Sequence, residues 1–376
     1  MFKTSIPLVI CSLLALAVVM PATAQTPILI GQSLPLTGPQ ATFGKSVREG
    51  TEALVEMINR GGGINGKPLA LKVLDDEFNP AKTVANLKAL AEVDGAVAIS
   101  SMVGGPNVLA AMPVAFALNI PIFDVLNGNA ALRPQNGSTI VHVRVPFVRE
   151  METIVSQYVT IGIKSFAVFA PDDSAGRVAA KGVKDVLAAT NLSPPTDIAF
   201  ARDAKDFTAY AQQLAASKSE VLIVFAPTGA AANMITAVKR IAPGVKIVCV
   251  SVVDERGLYG LLKEEARGVV FSSVVPNPYS VNLGLTRQYQ QAMKESGGKQ
   301  LSLASYEAFI NAKVLVEALR RSGSVPNRAS LRKAFGEMPP VDLGEVSYRP
   351  NATANSAAGI NVVDIVMLAR DGRLVR

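Results

Sequence analysis

Gly38-x5-Gly44-Lys45-Ser46 has the parts of a phosphate-binding loop. Glycines would free backbone N–H groups, the lysine would meet phosphate charge, and the hydroxyl would hold a metal ion. A strand pattern precedes it and a helix pattern follows, as that chemistry needs. The spacing does not fit, because a phosphate loop holds four residues between its glycines and this one holds five. The extra residue re-aims the amides, which argues against an NTPase. Gly61-x-Gly63-x-x-Gly66 matches a dinucleotide fingerprint as a string, but it follows a helix pattern and precedes a strand. Without a helix N-terminus to face a pyrophosphate it reads as a C-cap and turn. His142 is the only histidine, so any Ser-His-Asp triad would have to use it. No Gly-x-Ser-x-Gly elbow accompanies it, and a structural role is expected. Three acidic groups, Asp75-Asp76-Glu77, Asp172-Asp173 and Asp254-Glu255, could bind metal or act as acid and base. They could equally cap helices or line a polar cleft, and spacing does not decide between these roles.

The strongest candidate is Ser100-Ser101-Met102-Val103-Gly104-Gly105-Pro106-Asn107, which joins a buried strand to a helix. Small residues there let free backbone N–H groups approach a ligand, and the helix N-terminus favours an anion. Val125-Leu126-Asn127-Gly128-Asn129 follows the next strand and offers similar groups. Both segments sit at carboxyl ends of strands, where open α/β sheets bind ligands. The alternative is a pair of ordinary turns with capped helices.

These segments are positioned by an alternation of short apolar strands and amphipathic helices. Strands are predicted over 27–34, 69–73, 96–100 and 121–126, with helices over 46–60, 80–92 and 107–118 between them. That order implies a parallel sheet covered on both faces. The rhythm restarts with a strand over 139–145 and runs through a second unit of similar size. That unit ends in two successive strands, 245–250 and 268–274. Pro276-Asn277-Pro278 is a stiff connector. Helices over 282–296, 302–322 and 327–335 follow, then strands over 345–348 and 360–368. The expected fold is therefore α/β, with two doubly wound parallel-sheet lobes.

Composition narrows the chemistry further. The chain has 376 residues, 49% hydrophobic, with one His and two Cys. That excludes a disordered chain, a disulfide scaffold, a zinc finger and an iron–sulfur cluster. No cofactor is expected. The formal charge of +7 is spread thinly, in pairs such as Arg320-Arg321, so no nucleic-acid surface is expected. Lys3, the apolar run Ile6 to Met20 and the exit Ala22-x-Ala24 have the three parts of a secretory signal. The run is shorter than the roughly 20 residues of a spanning helix. Cleavage after Ala24 and a periplasmic location are expected. Cleavage would remove Cys11 and leave Cys249 as a buried, unpaired thiol.

Several strings, in order, resemble the periplasmic solute-binding proteins of ABC importers of the leucine/isoleucine/valine-binding type. They include Ile30 to Gly38, Asn59 to Leu69, Asp75-Asp76, Asn119 to Ile122, Tyr158 to Ile163, Asp172-Asp173, Tyr306-Glu307-Ala308 and Ala312 to Leu319. The resemblance implies two lobes joined by three crossovers near Pro146, Pro276 and Pro350, with the ligand between them. It implies a first lobe of 25–146 with 276–348, a second of 147–275 with 349–376, and a signal peptide over 1–24. Hinge closure would present the closed form to permease subunits, and a monomer is expected. For the ligand, the resemblance implies Ser101, Gly104, Gly105 and Asn107 from one loop and Leu126, Asn127 and Gly128 from the next. Phe43 falls where an aromatic residue covers the ligand. Asp173 comes from the matched acidic pair, and Ala175 and Thr228 stand at second-lobe aromatic positions. The acid that meets an amino-acid ammonium falls at Ser251, with Asp254 three residues later. A buried ammonium without a carboxylate costs several kcal/mol. The sequence therefore points to a non-enzymatic protein for a small polar or carboxylate-bearing ligand, either branched-chain amino acid-like or a related organic acid. A ligand sensor of the same fold is the alternative.

Overall fold

Short apolar runs closed by glycine, proline or asparagine become strands, and the amphipathic segments between them become helices. The structure is a computed structural model that describes residues 26–133, 140–350, 359–360 and 362–376. The export signal, its cleavage after Ala24 and the start of the 139–145 strand lie outside these residues. In chain order the elements begin β1 (Ile28–Leu34), α1 (Ala41–Arg60), β2 (Leu69–Asp75), α2 (Pro80–Lys88), β3 (Ala98–Met102), α3 (Gly105–Ala117), β4 (Ile122–Val125) and β5 (Ile140–Val141). They continue with α4 (Phe147–Thr160), β6 (Phe166–Pro171), α5 (Ser174–Ala189), β7 (Thr196–Phe200), α6 (Thr208–Ser217), β8 (Val221–Val224), α7 (Thr228–Ile241), β9 (Lys246–Cys249), α8 (Glu255–Leu262) and β10 (Val270–Ser273). The last are α9 (Gly284–Glu295), α10 (Leu303–Arg321), α11 (Arg328–Glu337), β11 (Val341–Asp342), β12 (Ser347–Arg349), β13 (Gly359–Ile360), β14 (Asp364–Leu368) and β15 (Leu374–Val375).

The first sheet has strand order β2-β1-β3-β4-β5 and every pairing in it is parallel. The second has order β15-β14-β10-β9-β8-β6-β7. Its strands from β6 to β10 pair in parallel, and β14 and β15 add an antiparallel edge. Strands such as β3 (AISSM) and β8 (VLIV) are buried along their whole length, as strands covered on both faces must be. The small antiparallel sheet β11-β12-β13 lies where the chain returns to the crossovers, and Ile360 N–H donates to Val143 O at 2.6 Å.

After β10 the chain goes back to the first sheet. Phe335 of α11 stacks on Phe123 of β4 at 4.6 Å. The Arg328 guanidinium donates to the carbonyls of Ala96 and Leu118. Stacked pairs of this kind contribute about 0.5–1.5 kcal/mol beyond their buried area. Phe169 and Phe200, 4.4 Å apart, do the same in the second sheet. Cys249 is buried, and burial pushes its thiol well above its ordinary value. Among the described residues no helix is long and apolar enough to cross a membrane.

Several elements differ from expectation, among them β11 and β15, which were not expected. The strand predicted over 139–145 is only Ile140–Val141, because Val143 N–H turns to the Asp124 carboxylate at 3.0 Å. The strand predicted over 360–368 is two strands in different sheets, β13 and β14. Helix α8 stands where two strands were expected in succession. Its eight residues include Gly257 and Gly260, and glycine is a weak helix former. Burial of Leu258 against the core holds it instead.

Candidate functional site

The carboxyl ends of β2, β3 and β4 face those of β6, β7 and β8 across a cleft. The cleft holds about 580 Å³ of empty space, part of it open to solvent. Gln40, Phe43, Phe78, Val103 to Pro106, Leu126 and Asn127 line one side. Pro171, Ala175, Arg202, Phe225 to Pro227 and Val252 line the other. Placement at strand ends follows from topology, since every parallel strand feeds its loop to the same edge.

The turn after β3 demands glycine. Gly104 has φ +91°, and a Cβ there would lie 2.6 Å from Phe78 Cε2. It is the N-cap of α3 and leads into Gly105 and Pro106. The first N–H groups of a helix have no intrahelical acceptor, and since Pro106 has none, Gly104 and Gly105 are the cleft-lining residues that can offer theirs beside the positive end of the helix dipole. Gly104→Ala is expected to cost about 1–3 kcal/mol of stability, read from the chemical-denaturation midpoint, and to displace Phe78 from the cleft wall. Asn127 completes this side. Its Oδ1 accepts from Asn129 N–H at 2.9 Å, which leaves its Nδ2 free to donate.

Of the residues expected at the site, Phe43, Gly104, Gly105, Leu126, Asn127 and Ala175 line this cleft. Ser101 is fully buried, with its hydroxyl against that of Ser100 at 3.2 Å. Asn107 is 1% exposed, and its amide has no hydrogen-bond partner among the described residues. Gly128 packs on the first crossover and its carbonyl accepts from Phe147 N–H at 2.8 Å. Asp173 caps α5, accepting from Ala175 and Gly176 N–H at 2.8 and 3.0 Å, and pairs with Arg202. Thr228 and Asp254 line an adjoining cleft that shares Gln40 and Phe43. Thr228 meets Gln40 Oε1 at 3.5 Å, and Glu49 of α1 meets Arg256 of α8 at 2.8 Å, so the two sides touch there.

Ser251 belongs to a buried ionic cluster at the first crossover. Its N–H and hydroxyl donate to Glu150 at 3.0 and 2.8 Å, and its hydroxyl accepts from Arg144. Arg144 also lies 3.8 Å from Glu150 and 3.2 Å from Glu307 of α10. Among the described residues no Asp or Glu lines the first cleft. Asp254 is 1% exposed, and burial raises its carboxyl to about 6.

The other chemical candidates are structural. His142 Nε2–H donates to Leu132 O at 2.7 Å, and burial, then Arg133, pushes the ring down to about 3. Asp75 holds the turn at Leu36 and Thr37, and Asp76 holds Ser33, Thr83 and Phe78 N–H. No group of three His, Cys, Asp or Glu suited to a metal ion occurs among the described residues. Sequence reading missed Gln40, Phe78, Arg202 and Phe225. Phe78, Arg202 and Phe225 each lie within three residues of a strand's carboxyl end, which is the signal that could have found them.

The family model for periplasmic binding proteins matches residues 27–373. A Leu/Ile/Val-binding protein of Rhizobium johnstonii is 24% identical over 341 residues, covering 86% of this chain and 88% of that one. Among solved structures, a possible leucine/isoleucine/valine-binding protein from Rhodopirellula baltica superposes with TM-score 0.85 at 24% identity, over 95% of this chain and 98% of that chain. An ABC transporter solute-binding protein from R. palustris, in complex with 4-hydroxybenzoate, gives TM-score 0.79 at 20% identity, over 93% and 95% of the two chains. Two facing sheets with a cleft at their strand ends, and a family match over nearly all the described residues, place this chain in the periplasmic binding protein family, whose members bind substrates extracytoplasmically and are not enzymes.

Proposed function

We propose that this protein captures a small carboxylate with an apolar or aromatic body and delivers it to an ABC permease. Cleft composition carries the reading: Phe43, Phe78 and Phe225 line it, Asp and Glu do not, and a helix N-terminus opens onto it. Flat apolar walls suit a ring or branched chain. The N–H groups at the start of α3 and Asn127 Nδ2 suit the carboxylate. An amino-acid ammonium would find no counter-charge in this cleft, which favours an organic acid over a zwitterion. A fold neighbour holding 4-hydroxybenzoate is consistent with that class. Delivery uses rotation of the lobe carrying the first sheet against the lobe carrying the second, about the three crossovers. The chain is exported, cleaved after Ala24, and acts as a monomer.

The test is a thermal-shift screen with benzoate, 4-hydroxybenzoate, short aliphatic acids and leucine. A ligand at a hundred times its Kd stabilises by about 2.7 kcal/mol, enough to rank the compounds. Aromatic acids are expected to raise the midpoint and leucine to leave it unchanged. A shift with leucine and none with any simple carboxylate would sink the proposal.

A further inference from the structure

Resting on the carboxylate reading of the cleft, we propose that Arg202 recognises a second anionic group at the far end of the ligand, so that the preferred class is an aromatic dicarboxylate. Donors line the cleft in two separate places. One is the start of α3 with Asn127, on the first sheet's side. The other is Arg202, just past the end of β7 on the second sheet's side. The walls that join them are largely apolar, with Phe43, Phe78 and Phe225 among them. A molecule that satisfies both ends must be polar at each end and flat and apolar between.

Arg202 is held ready for this role. Its Nε donates to Asp173 Oδ2 at 2.5 Å, and one terminal nitrogen meets the same oxygen. The other Asp173 oxygen is fixed by two N–H groups of α5. Burial acts to raise the Asp173 carboxyl, but the Gly176 N–H and Arg202 outweigh it and hold it below the usual range. Asp173 therefore stays ionised and fixes the plane of the guanidinium through one edge. A guanidinium has five N–H donors in a planar fork, so the opposite edge can meet a carboxylate with two parallel bonds. The Arg202 side chain is 45% exposed against 28% for Asp173, which leaves that edge accessible. An ion pair this exposed adds little to stability, so replacing Arg202 leaves the fold standing.

Calorimetric titration with benzoate and benzene-1,4-dicarboxylate tests the assignment. The intact protein is expected to bind the dicarboxylate at least about tenfold more tightly. Arg202→Met should abolish that preference while benzoate affinity stays within about threefold. Arg202→Lys should retain part of the preference, because it keeps the charge and loses the fork. Equal binding of the two acids by the intact protein overturns the role of Arg202 and leaves the carboxylate site standing. So does an equal loss of both in Arg202→Met. Binding of neither acid overturns both proposals.

Discussion

Arg144→Met is expected to destabilise the protein by about 3–5 kcal/mol, the usual cost of leaving buried charges uncompensated. Arg144 is 1% exposed and sits on the first crossover, where the chain leaves the first sheet for α4. Its partners come from both sides of the molecule. Glu307 is on α10, which packs with the first sheet, while Glu150 is on α4 and Ser251 follows β9. Its guanidinium also lies 5.9 Å from the centre of the Phe147 ring. Methionine fills similar space and makes none of these polar contacts. Glu150 and Glu307 would then lose the only ion pairs that they make among the described residues. Adding Glu307→Gln should recover part of the loss only above about pH 8, where Glu307 loses its proton. The non-additivity of the double variant, read from denaturant midpoints, measures the coupling. A single variant as stable as the parent would show that the cluster contributes nothing to the fold.

How much of this was legible in the sequence depends on how local each signal is. The strands were legible because runs such as Val221-Leu222-Ile223-Val224 are continuous and apolar, and only a strand buried on both faces needs that. The loop at Gly104 was legible because two glycines and a proline between a strand and a helix have few other uses. Arg202 was not, because in Ala201-Arg202-Asp203 it looks like any surface arginine until β7 is seen to end beside the cleft. Ser251 was expected at the ligand from the resemblance. Its two donors instead serve Glu150, a residue on another element, which no spacing rule encodes. The ionic cluster was hidden for the same reason. Asp124, Arg144, Glu150 and Glu307 come from four segments, and the lone charge within Val143-Arg144-Val145 was its only local trace.

Raising the pH from about 6.5 to about 8.5 is expected to lower the protein's stability, and the buried carboxyls determine that sign. Glu307 is raised to about 8, first by burial and then by the Asp124 and Glu150 charges, against the pull of Arg144. Glu255 is raised to about 8 by burial and by the charge of Asp254, although its Oε1 accepts from Leu303 N–H at 2.7 Å. Glu150 and Glu307 face one guanidinium, that of Arg144, so two carboxylates share a single positive charge and a proton on Glu307 removes the excess. A carboxyl whose folded value lies above its ordinary 4.5 binds its proton more tightly in the folded state. Between 4.5 and about 8 the folded chain therefore holds protons that the unfolded chain has released, and stability falls as pH rises through that window. His142 acts in the opposite sense, because its value drops from 6.5 to about 3, but only below pH 6.5. Asp124 and Asp254, raised to about 6, have lost most of their effect by then. The range above pH 6.5 consequently isolates the two glutamates, each contributing on the order of 2 kcal/mol. Thermal midpoints should fall by several degrees across it. Glu307→Gln and Glu255→Gln should each flatten the profile, since an amide stands in for the protonated acid at every pH, and the double variant should remove the slope. A midpoint that holds steady or rises with pH in the parent would mean that both glutamates are ionised in the folded protein, with the Arg144 guanidinium outweighing burial at Glu307.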